Sequence, residues 1–253
     1  MSDLVDQGGG WFQVKQTGRR LRSIPKPSNN DRNPVPNTVQ PNPNPTLSVD
    51  ELARYHELVT KDLQSSPWWQ QILQTLQSVA GHSSGLPSIK KAVCLGPGPY
   101  EPSNCSSAAR KTAHIQTAVF CYLVEYFKAQ TDEEIQCIIQ EPMFTETDRA
   151  FCATLGLETV DSPAAFPVID EETMVFAIHM ELSTYSQALS AHVPALLVGS
   201  DPENWETAAR VDPGIQADLE GYGRIEQTHG KVVFPDLEMM FFSTVLYWRR
   251  GES

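Results

Sequence analysis

Four short segments carry the residue types that chemistry needs, and each follows an apolar run. The first is Gly96-Pro97-Gly98-Pro99-Tyr100. Closely spaced glycines let a backbone approach a ligand, as in nucleotide-binding turns. Glu101 interrupts the full G-x-G-x-x-G spacing, and Pro97 and Pro99 remove amides that would hold a pyrophosphate. The same glycines suit a plain turn that ends a strand. Ser103, Asn104, Ser106 and Ser107 follow as candidate helix caps. A hydroxyl in this group, with Ser103 as the candidate, could instead act as a nucleophile, although no neighbouring base is visible in the sequence. The second segment is Gln140-Glu141-Pro142-Met143-Phe144. An acid at this point grips ribose hydroxyls in nucleotide-binding folds. Glu141 lies 45 residues after Gly96, against about 20 in the usual pattern, so a ribose contact and a solvated loop residue both stay open.

The third segment is Ile178-His179-Met180-Glu181. His179 is a candidate proton carrier or ligand contact, or a hydrogen-bonded structural histidine. The fourth is Gly199-Ser200-Asp201-Pro202, where Ser200 is a ligand contact or, like Asp201, a helix cap. The other histidines (His56, His82, His114, His192, His229) have no metal-ligand spacing, so no metal is expected. The five cysteines (Cys94, Cys105, Cys121, Cys137, Cys152) form no C-x-x-C pair and are odd in number. They read as reduced thiols of a cytoplasmic protein, with the nucleus as an alternative, and not as a disulfide framework.

These segments can act together only if one scaffold brings them to one place. The strands expected are Lys90–Leu95, Ile135–Gln140, Glu158–Val160, Met174–Ile178 and Ala195–Val198, with helices at about 108–128, 147–155, 183–191 and 203–210 between them. Buried apolar runs separated by helices predict an α/β, Rossmann-like, doubly wound and mostly parallel sheet with helices on both faces. Ligands in such sheets sit beyond the carboxyl ends of the strands. Gly96, Gly98, Glu141, His179 and Ser200 would then share one rim. The segment Met239–Trp248 reads as a further strand, paired with Tyr222–Glu226. Before the core (90–248) stands a helical pair, 48–80. It opens with a Ser48–Glu51 capping box and continues at Ser66-Pro67 with Trp68, Trp69, Ile72, Leu73, Leu76 and Val79 on one stripe.

Residues 1–46 form a separate region. They are rich in Pro and Asn over 23–46 and carry six basic against three acidic side chains. That leaves −15 on residues 47–253 of the −12 total. The composition predicts a disordered, basic tail. An acidic body repels phosphate backbones, so nucleic acid is disfavoured as a partner, with tRNA reached through the tail as the one exception. The tail is also the place for a protein partner. No run approaches 18 apolar residues, so no membrane span is expected. The opening MSDLVDQGGGW lacks the order of a signal peptide.

Read together, the segments resemble the "sensitivity to red light reduced" family, the SRR-like domain, over about Lys91 to Asn204. The resemblance rests on CLGPGPY (94–100), on Ile115-Gln116-Thr117-Ala118, on EPMFTETDRAFCATLGLETVD (141–161) and on the strand ending at His179. It continues into LLVGS (196–200). Trp11-Phe12-Gln13-Val14 with the following basic residues is similar to the family's short N-terminal motif. The pattern departs at the expected rim. Gly-Pro-Gly-Pro stands for Gly-Leu-Gly-Ser, Glu141 for Asp, and Met180-Glu181 for Cys-Pro. The resemblance implies a specialised, divergent member, with the Pro/Asn-rich tail suiting a fungal one. It implies an SRR-like Rossmann-type domain over 47–253 and a regulatory or accessory role, the family being linked to light-signal regulation in plants and haem-related regulation in animals.

Two functions are therefore expected, and the sequence does not decide whether the chain is an enzyme. One is a regulatory or accessory protein that binds a small molecule in the crevice, with S-adenosylmethionine or another nucleotide-like compound as the candidate cofactor. The alternative is a transferase in a fungal biosynthetic pathway. It would be either a methyltransferase using S-adenosylmethionine, or an aminoacyl-tRNA-using enzyme like the cyclodipeptide synthases with Ser103, Ser106 or Ser107 as nucleophile.

Overall fold

The central strand β1 (Lys91–Leu95) is KAVCL, almost wholly apolar, because both of its faces are covered. Alternate residues point to opposite layers. Ala92 and Cys94 join one apolar cluster, while Val93 and Leu95 join the other. The same division runs through β2 (Gln136–Gln140), β4 (Thr173–Ala177) and β5 (Leu196–Ser200). This computed structural model describes residues 40–81, 87–131 and 134–250. Most of the expected tail, including Trp11–Lys15, and most of the Gly81–Pro87 loop lie outside them.

The described residues form a seven-stranded sheet in the order β3-β2-β1-β4-β5-β7-β6. Strands β1 to β5 are parallel, with β3 reduced to Glu158–Thr159. Strand β7 (Thr244–Arg249) runs antiparallel to both β5 and β6 (His229–Val233). The fold is the expected α/β, Rossmann-like doubly wound sheet. Helices α1 (Val49–Gln64), α2 (Pro67–Ala80), α3 (Ser107–Thr131) and α4 (Glu146–Thr154) supply the first apolar cluster. The second cluster is covered by α5 (Leu182–Ala188), by α8 (Glu220–Thr228) and by side chains of α6 (Glu203–Ala209) and α7 (Pro213–Asp218).

Local chemistry sets the helix ends. Ser48 and Glu51 form the expected capping box, and Thr145 and Asp148 form a second. Asp148 is fully buried and accepts the Thr145 amide at 2.8 Å.

Three expectations need correction. Residues 222–226 lie in α8 and not in a strand, because Tyr222 and Ile225, three apart, bury one helical face. The hairpin partner of β7 is β6. Residues 239–243 are not strand: Asp236 caps the amides of Met239 and Phe241, and Glu238, Met239 and Ser243 adopt positive φ. The linker expected through residue 46 ends earlier, because the buried Glu101 carboxylate accepts the Thr46 amide and hydroxyl and the Leu47 amide at 2.7–3.0 Å.

The helical pair is part of the body. Trp68 stacks on Phe241 with ring centroids 5.2 Å apart, and its indole N–H donates to the Pro235 carbonyl at 3.0 Å. His56 of α1 meets His114 of α3, Nδ1 to Nδ1, at 3.2 Å. One ring must donate and the other accept, so the accepting ring is neutral with its proton on Nε2, and two neutral rings here must be opposite tautomers. Burial supplies that neutrality, pushing His56 down to about 4 and His114 down to about 3.

Two stability measurements test this packing. Ile72→Ala, at a side chain with no exposure, should cost about 2–5 kcal/mol in urea unfolding. The exposed Leu58→Ala should stay within about 0.5 kcal/mol. Equal small effects would make the pair an appendage. The second concerns acid. His229 is also held at about 4 by burial. All three histidines have folded values below the unfolded one, so the unfolded chain takes up more protons as pH falls below about 6.5. Stability should drop by about 1 kcal/mol per histidine between pH 7 and pH 5.5. The Glu141 and Asp148 carboxyls, raised by burial, act in the opposite direction. A flat urea-midpoint profile over that window would contradict the buried, neutral assignment.

Candidate functional site

Because β1, β2, β4 and β5 are parallel, Gly96, Glu141, His179 and Ser200 all stand at the carboxyl edge of the sheet. The chain winds from β1 through β2 to β3 on one side and from β4 to β5 on the other. The switch point, where connections part and leave a crevice, therefore lies between β1 and β4. Gly96 and Gly98 lie on the β1 side of the switch and His179 and Met180 on the β4 side, with the Met180 thioether packed against Gly96.

Backbone conformation at this edge is unusual. Gly96 has φ 63° and Gly98 φ 90°, where a side chain is strained. Among the described residues, the non-glycine residues with positive φ are Cys105, His179, Glu238, Met239 and Ser243. Every one lies in a connection at this same edge: β1 to α3, β4 to α5, or β6 to β7. Each costs on the order of 1–3 kcal/mol, and such strain concentrates where a site is built.

Each candidate has a distinct place. Glu141 is buried, with one carboxylate oxygen accepting the Gly98 amide at 3.0 Å and the other the Met143 amide at 2.9 Å. It fastens the β1 loop to the β2 loop. Burial raises its pKa, while the Met143 and Gly98 amides pull it down. Tyr100 anchors the same loop from below, its hydroxyl 2.8 Å from Thr117 Oγ1 and its ring stacked on Phe144.

His179 is exposed, and its Nε2 lies 2.8 Å from the Phe242 carbonyl. A carbonyl only accepts, so Nε2 carries the proton, and a neutral ring leaves its lone pair on Nδ1. That nitrogen can accept a proton or a hydrogen bond.

Ser200 is one strand further from the switch and buried. Its amide donates to the Tyr185 hydroxyl at 2.9 Å, and its carbonyl accepts from Tyr222 at 3.0 Å. The Tyr185 hydroxyl in turn donates to the Ala177 carbonyl. Ser200 thus belongs to a layer beneath the rim. Ser103 is exposed in a turn, without a hydrogen bond from its hydroxyl among the described residues. Ser106 caps α3, its hydroxyl oxygen accepting the Ala109 amide at 3.2 Å. The sequence reading missed Met180, Tyr185 and the carbonyl of Phe242. Met180 carried a signal, since it is one of the departures in the third segment. Tyr185 and Phe242 carried none, being brought in by helix packing and by the β6–β7 connection.

Glu141→Gln tests the fastening. The amide keeps one acceptor but turns an NH2 toward a backbone N–H. Stability should fall by about 1–3 kcal/mol, read as a lower thermal midpoint. An unchanged midpoint would mean that the two loops hold without this carboxylate.

The family model described as SRR1 domain matches residues 69–247. No curated protein matches the chain significantly. A solved structure from Listeria monocytogenes, described as a class I S-adenosylmethionine-dependent methyltransferase, aligns with 82% of this chain and 70% of its own at 12% identity. Its TM-score is 0.35, a likeness too distant to carry an argument about chemistry. No helix among the described residues is long and apolar enough to cross a membrane.

Proposed function

The chain belongs to the SRR1 domain family, and we propose that it is a regulatory or accessory protein that binds one small molecule in the crevice between β1 and β4. The observation that carries this reading is the concentration of positive φ at one edge, with two bare glycines opposite a strained histidine at the switch point. Gly96 and Gly98 would admit the ligand against the main chain, and His179 Nδ1 would accept a hydrogen bond from it. Glu141 would act as a positioning residue, holding the glycine wall.

Charge narrows the ligand. The connections at this edge (96–106, 141–145, 178–181, 201–202 and 234–243) contain Glu101, Glu141, Glu181, Asp201, Asp236 and Glu238, and no lysine or arginine. Two cations offset acids of this edge, Arg110 acting on Glu101 and Lys231 pairing with Asp201 at 3.0 Å, and Glu141, Glu181, Asp236 and Glu238 keep its sign negative. Like charges about 4 Å apart near a protein surface repel by about 4 kcal/mol. Pro97 and Pro99 offer no amides to offset that. A neutral or cationic ligand is therefore favoured over a pyrophosphate. Among nucleotide-like candidates this selects S-adenosylmethionine, with its sulfonium, over dinucleotides.

The aminoacyl-tRNA alternative is disfavoured by its nucleophile candidates. The Ser103 hydroxyl has no hydrogen-bonded base among the described residues, and Ser106 is spent on a cap. A protein partner through the N-terminal tail is compatible with this role.

A thermal-shift panel tests the proposal, with S-adenosylmethionine, S-adenosylhomocysteine, ATP, NAD and haem as probes. A ligand at about 100 times its Kd should stabilise by about 2.7 kcal/mol. Adenosyl-sulfur compounds should shift the midpoint more than ATP or NAD. No shift with any probe would remove this reading, and a larger shift with ATP or NAD would remove the charge argument.

A further inference from the structure

The crevice at the β1–β4 switch is filled from within. A Cβ built on Gly96 would lie 2.4 Å from Met180 Sδ and 2.6 Å from Met180 Cε. The end of the Met180 side chain therefore rests on the bare face of Gly96, where a ligand must come if it is to use the missing side chain. Glycine is favoured there by φ 63°, and its bare face is the surface on which the thioether rests.

The main chain of Met180 is held on both sides of the residue. His179, just before it, is held at φ 52° with its ring bonded to the Phe242 carbonyl. Glu181, just after it, is the N-cap residue of α5. The main chain is thus anchored on both sides. The thioether is half-buried, unbranched and turns about three torsions. Emptying the crevice needs a rotamer change and no loop movement.

We propose that Met180 gates the crevice, its thioether closing the space over Gly96 and swinging out when a ligand enters. This rests on the crevice being the ligand site. The gate also sets specificity. Whatever displaces the thioether must replace its contact with the glycine face, so the ligand group over Gly96 is slender and apolar or sulfur-bearing. A thioether or sulfonium matches that volume, and a phosphate does not.

The first test needs no ligand. In protein carrying 13C-methyl methionine, with Met180 assigned by its loss in Met180→Ala, the Met180 methyl should show an NOE to the Gly96 Hα. It should also show exchange between two rotameric states. A single rigid rotamer, or no NOE, overturns the gate whether or not any probe binds.

The second test titrates S-adenosylmethionine and S-adenosylhomocysteine into wild type, Met180→Ala and Met180→Leu. Removing the plug should tighten the apparent Kd about tenfold, the factor expected if the open form is about one tenth populated. Leucine keeps the volume but is branched and stiffer, so it should weaken binding. Equal Kd in wild type and Met180→Ala overturns the gate and leaves the ligand reading standing. Binding by Met180→Ala alone supports both. If none of the proteins binds either probe, the adenosyl-ligand reading fails, and the NMR result alone decides the gate. Should Met180→Ala fail to fold, the leucine variant and the wild-type spectrum carry the test.

Discussion

Strand β1 is hydrogen-bonded on both sides to parallel neighbours, β2 and β4, and everything at the candidate site depends on that constraint. A strand so placed cannot connect to both neighbours on the same side of itself. Its own connection goes over α3 toward β2, while the chain passing through β4 goes on toward β5. The loops at the two carboxyl ends must therefore diverge, and a crevice opens between them. Neither Gly96 nor His179 makes that crevice; the winding does. The residues decide only what lines it and what enters.

The lining is held by unequal means on its two sides. On the glycine side, one buried carboxylate takes two backbone amides, so the main chain of residues 98 and 143 is tied to a single side chain. On the histidine side, the hold is a ring nitrogen against a carbonyl, together with a left-handed residue. The first arrangement is nearly hidden from water, and the second faces it. A bond of about 1 kcal/mol net must there hold a conformation that itself costs on the order of 1–3 kcal/mol. The remainder has to come from the packing around it. The histidine side is therefore held by fewer hydrogen bonds than the glycine side.

Much of this was legible in the sequence, and the parts that were not share a physical cause. Apolar runs such as KAVCL and the Ser48–Glu51 box are local signals, and the structure carries them as read. The common edge followed from strand direction alone. Orientation did not follow. Ser200 stands at the right edge, but its amide and carbonyl are taken by tyrosines from α5 and α8, elements set by long-range packing. The helix α8 was misread because Gly221 and Gly223 lower helix propensity. Tertiary burial of Tyr222 and Ile225 overrides that. Gly221 even serves the packing, since a Cβ there would lie 2.5 Å from the Leu189 Cβ. Residues 239–243 failed in the other direction. Met239-Met240-Phe241-Phe242 looks like a strand by composition, yet the Asp236 carboxylate offers its amides a turn instead.

Occupancy of any site is felt elsewhere only through contacts that differ between the bound and free states. His179 is the wall residue with such a contact. Its ring proton goes to the carbonyl of Phe242, the next residue, Phe241, stacks on Trp68, and the Trp68 indole is bonded to Pro235 in the same connection. The β6–β7 connection is thus held at one end by the crevice and at the other by α2. A ligand bonded to His179 Nδ1 would polarise the ring that donates from Nε2 to Phe242, and so change the hold at one end while the other remains. The fold places its most strained connection, with Glu238, Met239 and Ser243 all at positive φ, between the crevice wall and the N-terminal helical pair. Strain stored there lowers the work needed to shift the connection.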